Sequence, residues 1–161
     1  MNWRKIIGIF AATSLGMSLL TGSASGRQRS LREQLLGNWT LVSHESVSMY
    51  GSNPKGVAFF DADGRFIITV MRSDRAQYAI NHPAQGTAEE NKATAQGTMT
   101  YFGTYSVSEA DRNIAIHIEA SSFPNWNGAD QKRIFAITGD QLTLTARALG
   151  GSADVVWKRA K

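Results

Sequence analysis

Apolar and polar residues alternate along most of this chain, in runs of six to nine residues separated by breaks only long enough to reverse direction. A period of two puts alternate side chains on opposite faces of a strand. Ile114-Ala115-Ile116-His117-Ile118-Glu119-Ala120 shows it most cleanly, with three isoleucines on one side. The strongest hairpin joins Gly56-Val57-Ala58-Phe59-Phe60 to Arg65-Phe66-Ile67-Ile68-Thr69-Val70-Met71 through the tight turn Asp61-Ala62-Asp63-Gly64. The same reasoning predicts strands over 38–44, 99–107, 131–137, 141–147 and 154–159. The fold class is therefore all-β, an antiparallel meander of eight strands. Such a meander must protect its two edges, and closing into a barrel removes them.

Two short helices interrupt the strands. Ser30 with Glu33, and Thr87 with Glu90, each form the S/T-x-x-E capping box. They predict helices from Leu31 to Leu36 and from Ala88 to Gln96, ended by Gly37 and Gly97. The second is alanine-rich and carries little apolar mass, so it is expected to lie as a lid or strap.

The first 25 residues form a separate segment. A basic start at Arg4-Lys5, an uncharged apolar run from Ile6 to Leu20 and small residues from Thr21 to Gly26 make the three-part pattern of a cleaved secretory signal. The apolar run is short of the roughly 20 residues needed to span a bilayer. The expected division is a signal over 1–25 and one barrel domain over 26–161, with the mature protein periplasmic or secreted. No stable membrane insertion is expected.

Composition narrows the function. The chain has no cysteine, which removes disulfides, thiolate chemistry and sulfur-ligated metals. The three histidines, His44, His82 and His117, lie on separate elements, so no metal is expected. No dinucleotide or phosphate-loop motif is present, and no cofactor is implied. Once Arg4 and Lys5 leave with the signal, 15 basic residues face 13 acidic ones. The basic residues are scattered except at the two ends, so nucleic acid is not an expected partner.

Four stretches carry a likeness to a known family. They are Leu36-Gly37-Asn38-Trp39-Thr40-Leu41-Val42-Ser43, then Asn53-Pro54-Lys55-Gly56, then Met71-Arg72-Ser73-Asp74-Arg75, and Tyr101-Phe102-Gly103-Thr104-Tyr105 with Phe123-Pro124-Asn125-Trp126. With Leu142-Thr143-Leu144 and Val156-Trp157, the chain resembles the lipocalin-like domain family of bacterial and fungal proteins, a branch of the calycin-type barrels of mostly unassigned function. The resemblance implies a structural role for Gly37, Trp39 and a terminal cation. In barrels of this type the Gly-x-Trp ring sits near the closed end under a basic residue of the last strand, here Arg159 or Lys158. The first helix would plug that end.

An eight-stranded barrel is either filled by its own side chains or holds one small ligand. The longest non-strand segments, 72–86, the helix from Ala88 and 123–129, should border the open end, and binding residues concentrate in such loops. Tyr78, Phe123 and Trp126 are large aromatics in those polar segments and are candidates for a pocket rim. Arg72 and Arg133 are candidate anchors for an anionic group. Arg72 has Asp74 as an alternative partner. Arg133 alternates with Phe135 and Ile137, which puts a cation on an apolar register. His117 and Glu119 share one strand face. If the three isoleucines point inward the pair faces solvent; if the interior is polar the pair is an acid–base couple in a cavity.

The expected function is the binding of a small hydrophobic or weakly anionic molecule. The alternatives are an acid–base enzyme, an isomerase, cyclase or dehydratase using His117 and Glu119, and a filled barrel acting as a structural or interaction protein. The sequence leaves oligomeric state open.

Overall fold

A computed structural model of the protein describes residues 28–148 and 151–161. The expected signal over 1–25 lies outside those residues.

The elements run in the predicted order. Helix α1 (Leu31–Leu35) leads into β1 (Gly37–His44), followed by a short helix α2 (Val47–Tyr50). Strands β2 (Lys55–Phe60) and β3 (Arg65–Met71) form the hairpin, and α3 (Ala88–Gln96) bridges to β4 (Thr98–Ser108). Then come β5 (Asn113–Ser121), a 3-10 turn (Pro124–Trp126), β6 (Asp130–Thr138), β7 (Gln141–Ala148) and β8 (Gly151–Arg159). Each strand pairs antiparallel with the next, and β8 pairs with β1, so the sheet closes on itself. Both capping boxes form, with the Ser30 and Thr87 hydroxyls accepting from the Glu33 and Glu90 backbone N–H groups. Helix α2 falls in a stretch whose mixed composition predicted no element. It is one turn with no side-chain cap, held by the backbone bonds of Tyr50 to Ser46 and of Gly51 to Val47.

Alternation decides what faces inward. In β3 the buried residues are Phe66, Ile68 and Val70; in β5 they are Ile114, Ile116 and Ile118. The isoleucines point into the barrel, because only that register removes their area from water. On the outer wall, Phe59, Ile67 and Phe102 are cross-strand neighbours and partly exposed.

One position needs the space that only glycine leaves. Between Phe102 and Gly103 the β4–β5 register shifts, and a Cβ on Gly103 would lie 1.9 Å from the His117 carbonyl oxygen. The bulge lets β4 curve round the barrel.

The closed end is built on Trp39, whose ring has no solvent exposure. Its indole N–H donates to the Leu35 carbonyl at 2.8 Å. Arg159, rather than Lys158, covers the ring, with its Cζ 4.1 Å from the ring centroid. The same guanidinium donates to the Leu36 carbonyl at 2.8 Å and to the Gln34 carbonyl. At the other end of α1, the Glu109 carboxylate accepts from the Leu31 and Arg32 N–H groups at 2.9 and 3.1 Å. A five-residue helix has few internal bonds, and Glu109 and Arg159 join Ser30 and Trp39 in satisfying its free backbone groups. Gly37 begins β1 with φ +108°, a backbone that disfavours side chains, and turns the chain from plug to wall.

Replacing Arg159 by alanine removes a cation–ring contact and two hydrogen bonds, so the barrel should lose about 2 kcal/mol of stability. Lysine should restore only part, since one ammonium cannot span both carbonyls and the ring. Urea unfolding of the three proteins measures this; equal midpoints for wild type and alanine would contradict it.

Candidate functional site

Above the closed end the barrel is not completely filled. A cavity of about 90 Å³ remains inside it, lined mainly by apolar side chains that include Phe60, Ile68, Ile116 and Leu144. Six of the lining residues carry a nitrogen or oxygen in the side chain: His44, Tyr50, Tyr101, Trp126, Arg133 and Trp157. No lining residue is acidic.

Each polar group is placed by its strand. Tyr101 follows the inward register of β4, opposite Ile68. Burial pushes its phenol up, opposed by the neighbouring Arg133 guanidinium. Burial likewise pushes the Tyr50 phenol up to about 12, so it stays protonated and able to donate. The His44 ring lies 4.6 Å from the Tyr50 ring and accepts the Ser46 N–H on Nδ1 at 3.0 Å, which leaves the proton of the neutral ring on Nε2. Arg133 pairs with the inward Ile114 across β5 and β6, which fixes it on the core face. Its guanidinium bonds to the Gln131 side-chain oxygen and, among the described residues, forms no ion pair. Trp157 is 1% exposed, and its indole N–H is the one buried side-chain polar atom without a hydrogen-bond partner among the described residues.

The mouth is an aromatic ladder. Trp126 meets Tyr101 edge-on at 5.4 Å between centroids, and Phe123 meets Trp126 edge-on at 6.0 Å. The loop carrying them is tied down by the Gly128 N–H to the Ile118 carbonyl at 2.7 Å and the Ser121 N–H to Asn127 Oδ1 at 2.8 Å. An apolar cavity of 150 Å³ is large enough for benzene. A ring-sized guest therefore needs more room than 90 Å³.

The structure brings Trp126 and Arg133 together at the cavity, with Phe123 behind Trp126. The other candidates lie elsewhere. Arg72 is bound to Asp74 through Nε to Oδ1 at 2.6 Å and Nη2 to Oδ2 at 3.1 Å, the alternative its sequence neighbourhood allowed. The Tyr78 hydroxyl sits 3.1 Å from Asn91 Oδ1 and from Thr94 Oγ1, which clips the 72–86 segment onto α3. His117 and Glu119 are on the outer wall because the isoleucines between them point inward. His117 Nδ1 lies 2.8 Å from Asp130, and Glu119 takes both arms of the Arg65 fork. They are not assembled into a cavity couple. Four polar residues of the cavity lining escaped the sequence reading: His44, Tyr50, Tyr101 and Trp157. The strand alternation carries Tyr101 and Trp157 inward and was the signal available for them.

Among the described residues no three His, Asp or Glu side chains cluster as a metal site requires, and no helix is long and apolar enough to cross a membrane.

With the barrel, its plug and its cavity in view, the class is a calycin-type barrel. The chain belongs to the lipocalin-like domain family, whose model matches residues 36–160. A curated relative is the 4'-hydroxy-3'-methoxypropiophenone carrier protein ppsC of Aspergillus oryzae, 32% identical over 82 residues that cover 47% of this chain and 74% of that protein. Among solved structures, the extracellular fatty acid binding protein As-p18 aligns with a TM-score of 0.42 at 13% identity, covering 82% of this chain and 100% of that one. The fluorescent protein UnaG aligns with a TM-score of 0.41 at 9% identity, covering 81% and 100%.

Burial holds the His44 imidazole below its ordinary 6.5. As pH falls below 6.5, the unfolded chain therefore takes up this proton before the folded one does, and stability drops. His44→Asn keeps an acceptor for the Ser46 N–H but does not titrate. The stability lost between pH 7 and pH 5.5, measured by urea unfolding, should be smaller in the variant than in wild type; equal losses would contradict the assignment.

Proposed function

We propose that this protein is a carrier that holds one small, mostly apolar and weakly acidic molecule in the upper part of its barrel. The observation that carries this reading is Arg133, a cation on the core face of β6 beside a cavity with no acidic lining. Its partners, the Gln131 side-chain oxygen and the Tyr101 hydroxyl, are neutral, so the charge of this partly buried guanidinium is left for an anionic group to balance. A phenol or carboxyl group on a small ring would do so, and the remaining wall is suited to the ring itself. Trp126 would act as the gate, leaving Tyr101 as the ligand enters. The relative's printed ligand, a methoxyphenol ketone, is of this chemical class, which supports the reading by analogy.

A binding role is favoured over an enzymatic one by the outward position of His117 and Glu119, which leaves His44 as the cavity's single histidine. The basic start and apolar run of residues 1–25 favour export, so the carrier would work in the periplasm or outside the cell.

Titration with 4'-hydroxy-3'-methoxypropiophenone, followed by tryptophan fluorescence, tests the reading. Wild type should show saturable one-to-one binding, and Arg133→Met should weaken it about tenfold, the cost of losing a charge-assisted hydrogen bond. Binding that is unchanged in the variant would remove Arg133 from the site. Failure of this ketone and of one-ring phenols and carboxylates alike to bind would overturn the carrier reading.

A further inference from the structure

The carrier reading assigns the acidic end of the ligand to Arg133 and leaves the buried Trp157 indole N–H unexplained. Trp39 shows how this fold treats an indole that is purely structural: its N–H is matched to the Leu35 carbonyl at 2.8 Å. Trp157 is equally buried, yet its N–H has no partner among the described residues, and its ring lines the cavity. A buried donor left unmade is unfavourable. An indole can only donate, so what completes it must be an acceptor.

The register says where that acceptor must be. On β7, Ala146 pairs with Arg133 and Leu142 with Trp157. The two anchors are thus level with positions four residues apart on one strand, about 13 Å at the usual rise. Anchors rooted that far apart favour two oxygen functions over one. Resting on the carrier reading, we infer that the ligand is two-ended: a single aromatic ring with an acidic oxygen for Arg133 and, across the ring, a neutral acceptor such as a ketone carbonyl for the Trp157 N–H. Trp157 is then a specificity residue, selecting oxygenated side chains over plain alkyl ones. Selection of this kind is strong because a ligand without the acceptor leaves the donor buried and unpaired.

The test compares 4'-hydroxypropiophenone with 4-propylphenol, which share the ring, the phenol and the three-carbon chain and differ in the carbonyl. Hydrophobicity alone favours the alkyl phenol. Wild type should instead bind the ketone about tenfold more tightly. The preference should vanish in Trp157→Phe. It should persist in Arg133→Met, which separates the Trp157 bond from the effect of the carbonyl on phenol acidity. A second readout does not depend on the variant's folding. In ¹H–¹⁵N spectra of wild type, the Trp157 indole N–H should move downfield with the ketone and far less with the alkyl phenol. Equal affinities of wild type for the two compounds, or an indole signal that responds alike to both, would overturn the inference while leaving the carrier reading intact. If neither compound binds, this inference falls, and the carrier reading stands or falls on the ring carboxylates.

Discussion

The barrel depends on the meeting of its first and last strands. β1 and β8 are more than a hundred residues apart in the chain, and every other pairing joins strands that follow one another in sequence. Their pairing is the step that turns a meander into a closed wall. Arg159 lies at that seam and does three things there. It pairs opposite Trp39 in the ladder, covers the indole ring, and holds the last carbonyls of α1. Strand closure, ring burial and helix placement are therefore one cooperative unit. Glu109, reaching from the β4–β5 turn to the start of α1, ties the middle of the chain to the same unit.

That arrangement divides the barrel into a finished half and an unfinished one. Near the plug, the polar groups that enter the core are matched: Trp39 to Leu35, and the Tyr105 hydroxyl to the Asp61 carbonyl at 2.7 Å. Around the cavity, by contrast, a guanidinium without an ion-pair partner and an unmatched indole N–H stand in an apolar setting. Cores are close-packed and their polar groups paired, so a region that departs from both rules is where function is expected. Trp126 lines the cavity and meets Tyr101 edge-on, an aromatic contact of the kind a ring-bearing guest could also make.

The fold was largely legible from residue order alone, because each strand carries its own alternation and each long helix its own capping box. What was not legible has a local cause. Helix α2 has no cap and only four residues, too few to show a period. It nevertheless brings Tyr50 to the cavity. Arg133 and Trp126 could be nominated because a cation on an apolar register and an aromatic in a polar loop each break a pattern. Arg72 and Tyr78 break patterns too, but for local reasons: one answers Asp74 and the other answers α3. Trp157 broke no pattern. Its significance is an absent partner, and a missing hydrogen bond shows only once the neighbours are placed in space.

The central claim is that the upper barrel is a binding site rather than a core with a packing defect. Native mass spectrometry of the full-length gene product, purified after expression and compared with the same sample after denaturation, tests it most directly. The account predicts a one-to-one complex with an added mass of a small oxygenated aromatic, either carried from the cell or restored by incubation with 4'-hydroxypropiophenone, and lost on unfolding. A bare protein mass under both conditions would contradict it and identify the barrel as filled by its own side chains.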